Sequence, residues 1–136
     1  MIRYEAIHHV SVAVTDLKKA KAFYGSVLGL EEIDRPPFDF PGAWYQVGNQ
    51  QIHLIVHEPA VTRRKTTALD TRDGHVALRV KDDRATAAWL KQQGVEILEK
   101  PNSTSGFAQI FCCDPDGNLI ELHVDQADLN NKQKGM

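Results

Sequence analysis

Gly74-His75-Val76-Ala77-Leu78-Arg79-Val80-Lys81-Asp82 copies an earlier stretch of the same chain, His9-Val10-Ser11-Val12-Ala13-Val14-Thr15-Asp16. Both run from a histidine through an alternating apolar strand to an aspartate seven residues on, at an offset of 66. After each aspartate comes a helix-like segment closed by a glycine, Gly29-Leu30-Glu31-Glu32 and Gly94-Val95-Glu96-Ile97, at an offset of 65. Each half then has a Gly-Asn turn entering a strand: Gly48-Asn49 before Ile52-His53-Leu54-Ile55-Val56, and Gly117-Asn118 before Ile120-Glu121-Leu122-His123-Val124. Four landmarks in the same order at nearly constant spacing identify two copies of one unit.

Hydrophobic periodicity gives the order within the unit. Residues 5–14 alternate as a strand, and Thr15 or Asp16 caps a helix. Leu17, Ala20, Tyr24, Val27 and Leu28 form its apolar stripe, and Gly29 ends it. Strands follow at 30–35, 43–48 and 51–57, with a proline-rich loop from Pro36 to Gly42 that carries Phe38 and Phe40. The unit is β-α-β-β-β, an α+β class. Its second copy has a strand at 74–81, a helix at 82–93 and strands at 95–100, 107–113 and 118–124. Ala85, Ala88, Trp89 and Gln92 make a weaker helical stripe there. The modules are therefore 5–57 and 74–124 within one domain, joined by a polar linker at 58–73 and followed by a polar tail at 125–136, expected to fray or form a short helix.

With 136 residues, 16 Lys+Arg and 18 Asp+Glu, the net charge is −2, and nothing recommends nucleic acid or an acidic membrane as partner. The short Arg63-Arg64-Lys65 run reads as a solvated loop. No apolar run reaches the length of a membrane span, and the first residues lack a signal-peptide core. The only cysteines, Cys112 and Cys113, are neighbours too close for an ordinary disulfide. They read as small core residues of a reducing cytoplasm.

Strand parity sorts the side chains further. Val10/Val12/Val14, Ile52/Leu54/Val56, Val76/Leu78/Val80 and Ile120/Leu122/Val124 make uniformly apolar faces that suit the helices. The opposite faces carry His9/Ser11/Ala13, His53/Ile55/His57, His75/Ala77/Arg79 and Leu119/Glu121/His123. Polar side chains on an inner sheet face need water, a ligand or a metal to meet them. Across the repeat His9 matches His75, and His53 matches Glu121. A pseudo-twofold would bring these four together as three imidazoles and a carboxylate, a first shell for divalent Ni, Co, Fe, Zn or Mn. His8, His57 and His123, taken singly, read as surface or hydrogen-bonded strand residues.

At these residues the chain resembles the vicinal-oxygen-chelate superfamily, which groups glyoxalase I, fosfomycin-resistance transferases, methylmalonyl-CoA epimerase, extradiol dioxygenases and bleomycin-resistance proteins. The likeness runs from about residue 6 to 125. It rests on His9-x-x-x-x-Val14-x-Asp16-Leu17, Phe23-Tyr24-x-x-x-Leu28-Gly29-Leu30, Gly74-His75-Val76-Ala77 and Asp114-Pro115-Asp116-Gly117-Asn118-x-x-Glu121. It implies paired, curved mixed sheets around one divalent metal, and a site completed by two chains of a homodimer. His9, His75 and Glu121 match the ligands shared by metal-dependent members, and His53 the slot that glyoxalase I and the epimerase fill with Glu or Gln. Phe111 stands where extradiol dioxygenases carry tyrosine. Ala13 stands where glutathione-dependent glyoxalase I commonly has arginine, and the phosphonate-holding arginine of fosfomycin transferases is absent from the tail. Bleomycin-binding members lack the metal ligands.

The resemblance implies a metal-dependent lyase or isomerase of glyoxalase I type. Its substrate would be a small α-oxygenated carbonyl compound or its thiol adduct, transformed through an enediolate. Glu121 is the expected general base and His53 either ligand or second base. Arg79, Ser11, Phe111 and Trp44 are the expected substrate contacts. The alternative is an antibiotic-resistance-type protein of the same superfamily, a thiol transferase or a drug-sequestering protein that uses Trp44, Phe38 and Phe40.

Overall fold

A computed structural model describes residues 1–129 of the chain. It divides into two compact units, the first ending at Lys65 and the second starting at Thr66. In the first unit β1 (His9–Val14) leads into α1 (Leu17–Lys21), then β2 (Glu31–Ile33), β3 (Gly42–Val47) and β4 (Gln50–Val56). The strands form an open mixed sheet in the order β1-β4-β3-β2. In the second, β5 (His75–Arg79), α2 (Asp83–Gln92), β6 (Leu98–Lys100), β7 (Phe107–Cys113) and β8 (Leu119–Asp125) give the order β5-β8-β7-β6. Both are the expected β-α-β-β-β, with the first strand lying parallel to the last. Of the expected tail at 125–136, Asp125 belongs to β8 and residues 126–129 form one helical turn; the remainder lies outside the described residues.

Both helices start where a carboxylate caps them. The Asp16 carboxylate accepts from the Lys19 amide at 3.1 Å and Asp82 from Ala85 at 3.0 Å, each satisfying an amide with no partner inside the helix. The first helix does not stay α-helical. From Ala22 to Val27 it winds as a π-helix, and the Leu28 amide reaches back five residues to the Phe23 carbonyl. The wider turn buries the adjacent Phe23 and Tyr24 together with Ala20. The expected stripe omitted Phe23 because it assumed 3.6 residues per turn.

The apolar strand faces are core as expected, with Val14, Ile52, Leu54, Leu78, Ile120, Leu122 and Val124 all buried. Val12, Val56, Val76 and Val80 are half-buried, and Val10 is exposed. In α2 the inward face is Asp83, Ala87 and Leu90, whereas Trp89 is 44% exposed and Ala85 and Ala88 lie outward. The expected stripe there was the wrong side of the helix. Leu90 is the one large aliphatic side chain of α2, and it draws its own face inward. Cys112 is buried, which pushes its thiol up to about 12, and the Cys113 thiol sits 3.7 Å from the Thr67 carbonyl. Among the described residues no helix is long and apolar enough to cross a membrane.

The turn that feeds β8 is built on one side chain. Asp114 Oδ1 accepts from the amides of Asp116 and Asn118, both at 2.9 Å, and Oδ2 accepts from the Asn118 side chain at 2.8 Å. Gly117 closes the turn at φ +85°, and a Cβ on it would stand 2.6 Å from the Thr66 carbonyl oxygen. Gly117→Ala therefore meets both left-handed backbone strain and a clash with main chain. We expect it to cost about 2 kcal/mol or more in urea unfolding; a change within a few tenths of a kcal/mol would show that the turn relaxes freely.

On the α2 side, Arg84 hydrogen-bonds Glu99 and Asp83, and Lys91 stands 3.5 Å from Glu99. The Arg84 hydrogen bond holds the Glu99 carboxyl below its ordinary value against the opposing effect of burial. A carboxyl depressed in the folded state stabilises the fold above its unfolded pKa, and that contribution is lost as pH falls through the folded value. Glu99→Gln should therefore melt below wild type near neutrality, and the gap should close as pH falls below about 4. A gap constant down to pH 3 would contradict the assignment.

Candidate functional site

Parallel pairing places the predicted donors in two diagonal pairs. His9 on β1 lies opposite Gln51, so its diagonal neighbour on β4 is His53. His75 on β5 lies opposite Leu119, so its diagonal neighbour on β8 is Glu121. In the first unit the His9 and His53 rings stack with centroids 4.1 Å apart and planes 17° apart. In the second, His75 Nε2 stands 3.1 Å from Glu121 Oε1. Each unit thus brings together two of the four. Among the described residues no group of three or more His, Cys, Asp or Glu gathers that could hold a metal ion.

The second pair has the spacing of metal donors. His75 Nδ1 is 2.7 Å from the Asp73 carbonyl, which only accepts, so Nδ1 carries the proton. That leaves Nε2 and the Glu121 carboxylate as two electron-rich atoms 3.1 Å apart, which need a proton or a cation to reconcile them. Two donors bound to one cation at about 2.1 Å and at right angles would be about 3 Å apart. The other carboxylate oxygen, Oε2, meets His123 Nδ1 at 2.7 Å. His123 is itself buried and stacks on Phe107 at 4.2 Å, with planes 6° apart. Buffering of a ligand by an outer hydrogen bond is usual at metal sites.

The first pair fits in chemistry, but one ring must turn. Imidazole lone pairs lie in the ring plane, so two stacked rings cannot both aim at one point between them. His53 is buried and clamped, with Trp44 stacked on it at 3.9 Å and 3° and its Nε2 held by Gln51 Oε1 at 2.8 Å. His9 is exposed, with its Nδ1 2.9 Å from that of His8, and is the ring able to rotate. Burial lowers the His53 pKa, and the neighbouring His9, His8 and Arg35 lower it further. The neutral ring that results is the form that donates to a metal.

The expected substrate contacts are placed as follows. Ser11 is exposed and lies opposite His53 in the β1–β4 register. Trp44 is opposite His53 on the other side, in β3. Phe111 is buried opposite Glu121 and sets its ring edge to face with His75 at 5.4 Å. Arg79 gives both terminal nitrogens to Asp125 at 2.9 and 3.0 Å, on the same diagonal that joins His75 to Glu121.

Three contributors were missed. Gln51 and His123 lie two residues from a donor on the same strand, so strand parity could have found them. Arg35 could not have been found that way: its guanidinium lies over Phe38 and Phe40, at 4.8 and 5.0 Å, and binds the Phe40 carbonyl at 2.8 Å. It pins the loop beside Trp44, whose ring is 6.2 Å from Phe38.

Comparison with known proteins places the chain in one family. Residues 6–122 match the model of the Glyoxalase/Bleomycin resistance protein/Dioxygenase superfamily. "Glyoxylase I 4" of Arabidopsis thaliana is 29% identical over 120 residues, covering 86% of this chain and 69% of that protein. "Glutathione transferase FosA" of Serratia marcescens is 31% identical over 122 residues, covering 88% and 81%. The crystal structure of a glyoxalase family protein from Bacillus anthracis superposes with a TM-score of 0.76 at 30% identity, covering 92% and 99%. With its repeated β-α-β-β-β units and a family match over most of its length, the chain belongs to the glyoxalase/bleomycin resistance protein/dioxygenase superfamily.

Proposed function

We propose that the protein is a metal-dependent lyase or isomerase of the glyoxalase I type, acting on a small α-oxygenated carbonyl compound or its thiol adduct. The observation that carries this reading is the matched pair of diagonals, His9 with His53 and His75 with Glu121, at equivalent strand positions of the two units. These four residues are the proposed ligands of one divalent cation per chain, drawn from Ni, Co, Zn, Fe and Mn. We propose further a homodimer in which the site is completed, as the likeness to the superfamily implies.

A bound dication supplies Lewis-acid stabilisation of negative charge on neighbouring substrate oxygens. The chain's own part is proton movement and positioning. Glu121 takes a proton from the carbon that bears the substrate hydroxyl and returns it to the adjacent carbonyl carbon, while the hydroxyl proton passes to the former carbonyl oxygen, giving an isomer with no net loss of atoms. His123 holds the far oxygen of that carboxylate, so that Oε1 keeps its direction while the proton is carried. Trp44 and Phe111 set aromatic surface against His53 and His75.

A second reading keeps the same site as a thiol transferase or drug-sequestering protein. The Phe38, Phe40 and Trp44 cluster pinned by Arg35 favours it, because Phe38 is exposed and offers a flat apolar surface. Metal content separates catalysis from simple sequestration, and a screen of methylglyoxal–thiol adducts against fosfomycin-type epoxides separates the two enzymes.

Native mass spectrometry of the protein loaded with Co(II) or Ni(II) should show two chains with about one metal each. His75→Ala combined with Glu121→Ala should lose the metal; unchanged metal content would refute the ligand assignment.

Glu121→Gln keeps a neutral oxygen donor but loses the base. It should retain much of its metal while turnover of the hemithioacetal falls by about 10²- to 10⁴-fold. Near wild-type turnover would eliminate Glu121 as the base.

A further inference from the structure

We propose that Gln46 and Gln51 form a relay that fixes His53 as the tautomer with its proton on Nε2, so that Nδ1 is the nitrogen offering its lone pair. Gln51 is then a positioning residue for His53. The inference deepens the functional reading above, which is what gives the free nitrogen a task, but it rests on hydrogen bonds that stand without a metal.

The relay is read from its far end. Gln46 Nε2 donates to two main-chain carbonyls, Gly48 at 2.8 Å and Gln50 at 3.2 Å. A carbonyl oxygen only accepts, so the Gln46 amide has one orientation and its Oε1 is left as an acceptor. Gln51 Nε2 donates to that oxygen at 3.5 Å, the long limit of a hydrogen bond. Turning the Gln51 amide over would set two amide oxygens against each other. It therefore presents Oε1 to His53, 2.8 Å from Nε2. That oxygen also only accepts, so His53 Nε2 must bear the hydrogen. A neutral imidazole has one such hydrogen, and Nδ1 is left bare.

The ring has little freedom to evade this. It lies between Trp44 and His9, and the cross-strand register sets Gln46 directly opposite Gln51. The second unit cannot build the same device. The strand positions matching this pair hold Cys113 and Leu119, which lie opposite each other in β7 and β8. There the Asp73 carbonyl holds the proton on His75 Nδ1 and frees Nε2. The two units thus present opposite ring nitrogens.

Two-bond ¹H–¹⁵N correlation spectra of histidine-labelled, metal-free protein report each tautomer directly, with His53 assigned from a His53→Gln control. Wild type should show His53 protonated at Nε2. Gln51→Leu should shift it several-fold toward a mixture of tautomers, and Gln46→Leu should do the same by letting the Gln51 amide turn over. Gln51→Glu, which keeps an acceptor oxygen, should preserve the Nε2–H form and serves as the folded control should the leucine variants lose structure. A wild-type His53 protonated at Nδ1, or leucine variants with an unmoved tautomer, would overturn the relay. The spectra need neither metal nor turnover, so failure of the functional reading would leave this result standing.

Discussion

Parallel pairing of the first and last strand in each unit is the constraint on which the candidate site depends. An antiparallel hairpin can pair neighbours in sequence, whereas a parallel pair needs a crossover, and here the helix and two strands supply it. The pairing sets residues more than forty positions apart side by side, His9 with His53 and His75 with Glu121. A slip of one residue in either register would turn the donor of the slipped strand toward the helix and its apolar side chains toward the site. The buried apolar faces under Leu54 and Leu122 therefore hold the polar faces in position as well as stabilising the fold.

Much of this was legible in the chain because two periods were visible at once. Alternation by two separated Ile52, Leu54 and Val56 from His53, and the repeat, whose offset runs from 65 to 69 residues, matched His53 to Glu121 at 68. Where small residues dominated, the reading failed. In α2 the alanines at 85, 87 and 88 fit either side, and the choice fell to the single large aliphatic, Leu90. Polar side chains were placed on the correct face without their partners. Arg79 was seen facing the site, but its bidentate pairing with Asp125 depends on side-chain reach that no pattern encodes. Likewise Gln51 sat in plain view two residues before His53, and its weight comes only from which of its atoms is free.

The two units have kept their first contacts equivalent and let the outer ones diverge. His53 is held from two residues before it by a glutamine; Glu121 is held from two residues after it by a histidine. In the first unit the clamp is neutral, aromatic and amide; in the second it is a His–carboxylate–His series whose Glu121 and His123 are buried. A low-dielectric setting strengthens both, and also makes any unpartnered member costly.

The π-helical turn after α1 records how the two copies drifted apart. Gly29 follows its capping Asp16 by thirteen residues, while Gly94 follows Asp82 by twelve, which is why the offset between copies falls from 66 to 65 along the helix. A π turn holds one residue more than the α turn it replaces. The Ala22–Val27 segment is therefore the physical form of a one-residue insertion, or of its loss from the other copy. Taking up the extra residue inside the helix kept the aspartate cap, the glycine stop and the following strand in place, so neither the sheet register nor the donors on it had to move.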